Sequence, residues 1–136
     1  MGNQSLSLHF KTEKVYEGFA QMEGVMTTTE QGLRMEYVIK DNFIGVLKGN
    51  KKSILIPYGA IAEVDYKRNL FVSRFRISVN DMEVLGKFPG AKNGRLSLKV
   101  MRRNKDMALR MQEHLRWRLG YVTIERGSDV DPFLGP

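Results

Sequence analysis

The sequence predicts a mainly β domain with one C-terminal α-helix: a bent antiparallel sheet, or open barrel, capped by that helix. Three observations predict it. Short segments with period-two apolar alternation fill most of the chain between residues 19 and 101. Turn residues (Gly, Asn, Asp and Pro) punctuate them at short intervals. One segment of helical period then follows. An antiparallel sheet of this kind has open edges and one apolar face, and a single amphipathic helix can cap that face or plug the end of a barrel. The chain has 136 residues, of which 42% are hydrophobic and 27% charged, as expected of one globular domain. With no cysteine, a disulfide scaffold, a Cys-based metal site and thiol chemistry are excluded.

Taken in order, residues 1–17 read as an N-terminal extension, 18–120 as the domain and 121–136 as a C-terminal tail. Phe19 to Thr29 is a strand with Gly24 as a bulge or close-approach point. Glu30-Gln31-Gly32 supplies a turn in which Gly32 can take positive φ. Leu33, Met35, Tyr37 and Ile39 then share one face of the second strand of a hairpin. A short strand over Ser53 to Pro57 ends at the proline. In the next strand Ala62, Val64 and Tyr66 alternate with Ile61, Glu63 and Asp65. Phe71, Ser73, Phe75, Ile77 and Val79 share the inner face of another. Asn80 to Gly94 reads as a loop with a short strand near Met82 to Leu85, and Leu96, Leu98 and Val100 point inward from the last main strand. Asn104 is the expected N-cap of a helix of about 15 residues, with Met107, Ala108, Met111, Leu115 and Leu119 on one stripe and Gly120 at the C-terminal cap. A final strand is expected near Tyr121 to Ile124.

The charge layout bears on function. The net charge of +7 is concentrated in residues 51–101, with ten Lys/Arg against four Asp/Glu, and in residues 102–118, with six against two. Such a surface attracts phosphate-bearing partners or keeps the protein soluble. Enzyme signatures are missing: there is no HExxH, G-x-S-x-G or Walker-type loop, and the two histidines, His9 and His114, lie far apart in the sequence. No cofactor, metal site or small-molecule substrate is expected. Met1 to Phe10 lack the basic start and apolar stretch of a secretory signal, and the apolar runs fall far short of the roughly 20 residues that span a bilayer. The expected location is cytoplasmic.

The layout resembles the pleckstrin-homology-like (PH-like) superfold, and more closely a group of bacterial PH-like domains of uncharacterised function. The residues that carry the resemblance are Asp41 to Lys48, Ile54 to Tyr58 leading to Ile61-Ala62-Glu63-Val64, Phe88-Pro89-Gly90, and Leu96 to Val100 leading into the helix. The resemblance implies a binding domain. Lipid-binding PH domains place Lys and Arg around their first hairpin. Here Thr27 to Arg34, taken as that hairpin, holds only Arg34 and Glu30, so the usual phosphoinositide pocket is not expected.

Three surfaces are candidates. Phe43, Ile44, Val46 and Leu47, flanked by Lys40, Lys48, Lys51 and Lys52, form a basic-apolar loop suited to an anionic membrane surface or a partner. Arg74, Arg76, Arg95 and Lys99 form a basic outer face on two strands. Trp117 and Tyr121 form a candidate partner patch. Nucleic acid is disfavoured because the aromatics Phe71 and Phe75 fall on the inner face. The expected function is non-catalytic binding or scaffolding through protein–protein contact, including self-association. The alternative is peripheral binding to anionic membranes.

Overall fold

The computed structural model describes residues 5–12, 20–41, 47–86 and 88–126, and the side chains of 5–12, 21–40, 51–86 and 88–120. Period-two alternation builds a seven-stranded sheet in which every pairing is antiparallel. Strands β1 (Ser7–Thr12), β2 (Ala20–Thr28), β3 (Gly32–Asp41) and β4 (Leu47–Pro57) follow one another as a meander. A 3-10 turn over Tyr58–Ala60 leads into β5 (Ile61–Lys67), β6 (Ser73–Val79) and β7 (Arg95–Val100). Strand β7 returns to pair with β1, so the spatial order is β4-β3-β2-β1-β7-β6-β5 and the sheet is unclosed. Helix α1 (Lys105–Arg126) follows a 3-10 turn over Arg102–Asn104. The mainly β architecture with a terminal capping helix is the one that the sequence predicts.

Several local expectations are corrected. Residues 7–12, inside the segment read as an extension, form the middle strand of the sheet. Leu8, Phe10 and Thr12 alternate inward there, and the Thr12 hydroxyl accepts the Met22 N–H at 3.0 Å. The helix runs past residue 120: Gly120 lies within it with open space around its Cα, and Tyr121 to Ile124 are helical, not a strand. Asn104 does stand directly before α1 as expected, and it also closes the 3-10 turn that leads into the helix, its N–H donating to the Met101 carbonyl at 2.8 Å. Met82–Leu85 is a 3-10 turn, because the Asp81 carboxylate accepts the Glu83 N–H at 3.0 Å and holds the chain out of a ladder. In β5 a register shift between Ile61 and Glu63 changes the phase, so Ile61, Val64 and Tyr66 are buried and Ala62 is exposed. Gly32 is an ordinary strand residue; a Cβ there would strike the Ile56 backbone, so it is close approach that requires glycine.

The core is lined from both halves of the sheet. It includes Met22, Met26, Leu33, Met35, Ile56, Phe75, Ile77 and Leu98, all but fully buried. Gly24 acts as the expected close-approach point, since a Cβ there would meet the Phe10 ring at 2.9 Å and the Glu36 carbonyl. The absent side chain lets Phe10 and Tyr37 flank Phe88, with ring centroids 6.4 Å and 4.7 Å from it. Phe88 thereby anchors the β6–β7 connection on the core.

Helix α1 closes the open side. Ala108, Met111 and Leu115 are fully buried, and burial of Met111 and Leu115 stabilises the docking by about 1.5–3 kcal/mol each. The helix also covers the β5 edge with polar groups. The Tyr66 N–H donates to Gln112 Oε1 at 2.7 Å, and Arg116 Nε donates to the Val64 carbonyl at 3.2 Å. Two backbone groups of an edge strand are thus satisfied by side chains in place of an eighth strand. The Arg118 guanidinium lies 4.3 Å from the centre of the Tyr58 ring, whose hydroxyl donates to the Thr29 carbonyl at 2.5 Å. Gln112→Ala is expected to destabilise the protein by about 1–3 kcal/mol, because the Tyr66 N–H is left beneath the helix without an acceptor. Urea denaturation of the two proteins measures it, and an unchanged midpoint would show that the edge is satisfied in another way.

Candidate anion-binding face

The ladder register assembles basic residues that are far apart in the chain. Lys67 on β5 lies opposite Arg74 on β6, Arg74 opposite Lys99 on β7, and Lys99 opposite Lys11 on β1. All four alternate with inward-facing neighbours and so stand on the outer face. With strands about 4.8 Å apart, the row covers about 14 Å. It ends at Glu23 on β2, which lies opposite Lys11 and pairs with Lys11 at 3.9 Å and with Lys40 at 3.6 Å. The register thus gathers like charge on one strip of the sheet, where the side chains of directly opposed residues lie close enough to act together on one ligand.

Of the basic face expected from sequence, the fold brings Arg74 and Lys99 together and separates the other two. Arg76 donates two hydrogen bonds to Asp65, at 2.5 Å and 3.2 Å, and the same carboxylate lies 3.6 Å from Arg116 of the helix. Arg76 is thus committed to tying β5, β6 and α1 together. Arg95 stands further along β7, opposite Ser78, beside a concavity of about 560 Å3 that also has Arg76, Lys92 and Glu63 in its wall.

An apolar tip adjoins the row. The turn between β5 and β6 carries Leu70 at 78% exposure and Phe71 at 90%. Sequence alternation placed Phe71 inside with Phe75, but β6 begins only at Ser73, so the alternation does not reach it. The turn is held in place: Asn69 Oδ1 accepts the Phe71 N–H at 3.4 Å, and Arg102 donates to the Leu70 carbonyl at 3.1 Å. Leu70, Phe71, Lys11, Lys99, Met101 and Arg102 share the wall of one concavity of about 470 Å3. Sequence reading missed Lys11 by assigning it to an extension, and missed Lys67 and Leu70 altogether. The readable signal was an apolar pair directly after Arg68-Asn69.

A third concavity, of about 610 Å3, opens where the chain leaves β7 and diverges from β1. Val25 and Val38 contribute apolar surface, Glu36, Lys51 and Arg103 contribute charge, and His9 also lines the wall.

The other expected surfaces are placed as follows. Phe43, Ile44 and Val46 lie outside the described residues, while Leu47 and Lys48 begin β4. Lys51 faces the outer concavity, whereas Lys52, opposite Tyr37, belongs to the other side of the strand. With Lys40 held near Glu23, the described lysines of that group do not form one collar. Trp117 is 67% exposed, and the continuous helix sets Tyr121 one turn beyond it. The hairpin Thr27 to Arg34 is the second in the sheet; the first joins β1 and β2, and residues 13–19 that connect them lie outside the described residues. The expectation about a phosphoinositide pocket concerned this second hairpin and does not extend to residues 13–19.

Among the described residues no group of three or more His, Asp or Glu is arranged to hold a metal ion, and no helix is long and apolar enough to cross a membrane. No protein-family model matches the chain, and comparisons with curated proteins and with solved structures likewise returned no match.

His114, half-buried on α1, carries a pH response. Burial holds its imidazole below the ordinary histidine value, and the Arg118 guanidinium acts in the same direction. The native state then takes up a proton less readily than the unfolded chain, so this contribution is complete above about pH 6.5 and is lost as the pH falls. Stability is expected to drop between pH 7.5 and pH 5, and His114→Gln to drop less over the same interval. Thermal unfolding of both proteins at the two pH values measures this, and equal drops would acquit the histidine.

Proposed function

We propose that this chain is a non-catalytic PH-like binding domain whose working surface is the cationic row, and whose partner is anionic. The observation that carries this reading is the register itself: Lys67, Arg74, Lys99 and Lys11 stand directly opposite one another across four strands. The surrounding charge supports the same reading, since residues 51–118 hold sixteen Lys/Arg against six Asp/Glu. Long-range attraction would bring an anionic partner to this face before any close contact forms.

The probe is fluorescently labelled inorganic polyphosphate, followed by anisotropy at low and high salt. Binding that weakens with salt is expected, and Arg74→Glu with Lys99→Glu is expected to lower affinity by about tenfold or more, about 1 kcal/mol or more for each reversed charge. Equal binding by the double variant would remove the row from the site.

Self-association is a second reading, and β4 favours it. This strand is the edge opposite β5, no strand pairs with its outer side among the described residues, and Leu55 on it is 43% exposed. Sedimentation velocity over a wide concentration range is expected to show a rising mass if copies pair at this edge. A constant monomer mass would end that reading.

A further inference from the structure

We infer that the turn between β5 and β6 is a membrane-inserting tip. Leu70 and Phe71 enter the boundary between headgroups and acyl chains of an anionic bilayer, while Lys11, Lys67, Arg74 and Lys99 stand over the lipid phosphates. This rests on the cationic row being the anion-binding face, and it names the source of the anion as a lipid surface.

Three observations converge on it. First, Leu70 and Phe71 are consecutive, 78% and 90% exposed, and joined by Met101 at 45% in the wall of the same concavity. Single exposed apolar side chains are ordinary, but a contiguous cluster at a turn marks a surface that is covered in use. Second, the cluster sits within a basic setting. Lys11, Lys99 and Arg102 share its concavity, Lys67 and Arg68 precede it, and Arg74 follows it. Apolar insertion together with charge attraction is the combination that holds a protein at an anionic lipid surface, where either alone is weak. Third, the tip is held rather than loose, since Arg102 and Asn69 both bond the turn's backbone. Presenting the two side chains to a membrane therefore requires little further ordering.

The arrangement fits lipid better than nucleic acid. A single-strand binder interleaves aromatics with cations on the sheet face, so that bases stack between phosphate contacts. Here the aromatic ring lies beyond the row, beside aliphatic Leu70 and the thioether of Met101. The tip lies on the side of the ladder away from the strand end that leads into the first hairpin. Ser73 lies opposite Val100, and Lys99 opposite Lys11, so the turn is at the end of the ladder where β1 begins, while the first hairpin connects at Thr12, where β1 ends. What is inferred is thus a surface-charge and insertion device and not a headgroup pocket.

The test uses the full chain with two probes: vesicles of phosphatidylcholine, with and without phosphatidylserine, and polyphosphate. Leu70→Ser with Phe71→Ser is expected to lower binding to the serine-lipid vesicles by about tenfold or more, the scale of losing buried apolar side chains, while polyphosphate binding stays unchanged. A Phe71→Trp variant in a Trp117→Phe background is expected to be quenched by brominated acyl chains. Polyphosphate binding without vesicle binding, or vesicle binding that the double serine variant does not weaken, overturns the tip and leaves the cationic row intact. Single-stranded RNA binding that the same variant weakens, with vesicles unbound, overturns it in favour of base stacking. Failure to bind either probe overturns the anionic reading itself, and this inference with it.

Discussion

The open edge of β5 is the constraint on which the rest of this fold depends. A seven-stranded sheet that does not close leaves two rows of backbone groups to be answered for. At β5 the answer is α1, which supplies Gln112 and Arg116 to the strand while its Ala108, Met111 and Leu115 fill the space above the core. Once the helix is committed there, its approach is committed as well. The chain must leave β7 at Met101 and turn through Arg102–Asn104, and this carries Arg102 onto the β5–β6 turn. Edge satisfaction at one side of the sheet therefore fixes the posture of an exposed tip at its end.

The same commitment explains the division of labour among the arginines. Arg76 and Arg116 converge on Asp65 and hold sheet to helix, and Arg118 lies over Tyr58 at the corner after β4. Such half-exposed ion pairs contribute little energy one by one, but they set geometry. The cations of the row have a different setting. Their cross-strand neighbours in the ladder are other cations, and Lys11 at the end of the row also lies against Glu23.

Legibility from sequence followed the locality of each feature. The alternation of β3 and β7 and the apolar stripe of α1 are encoded within a few residues, and each was readable. Strand β1 was equally local, with Leu8, Phe10 and Thr12 in step, but its terminal position disguised it as an extension. The bulge in β5 moved burial from Ala62 to Ile61, which alternation alone cannot detect. Phe71 was misplaced because the strand starts two residues later than the pattern. The cationic row lay beyond local reading altogether. It exists only through pairings between residues as distant as Lys11 and Lys99, and a shift of one residue in any strand would have scattered it.

The contact between β1 and β7 consists of two registered pairs, Lys11 with Lys99 and Thr12 with Leu98. Every other neighbouring pair of strands is close in the chain, so the sheet is two consecutive halves, a four-stranded meander and a three-stranded meander, whose backbones pair only along this short seam among the described residues. In kinetic language, the halves can assemble from short loops, and the seam waits for the longest loop closure in the protein. Two like charges, Lys11 and Lys99, meet at this seam, and salt screens such an encounter. Two of the residues proposed to meet an anion are thus also the ones that meet where the two halves of the sheet join.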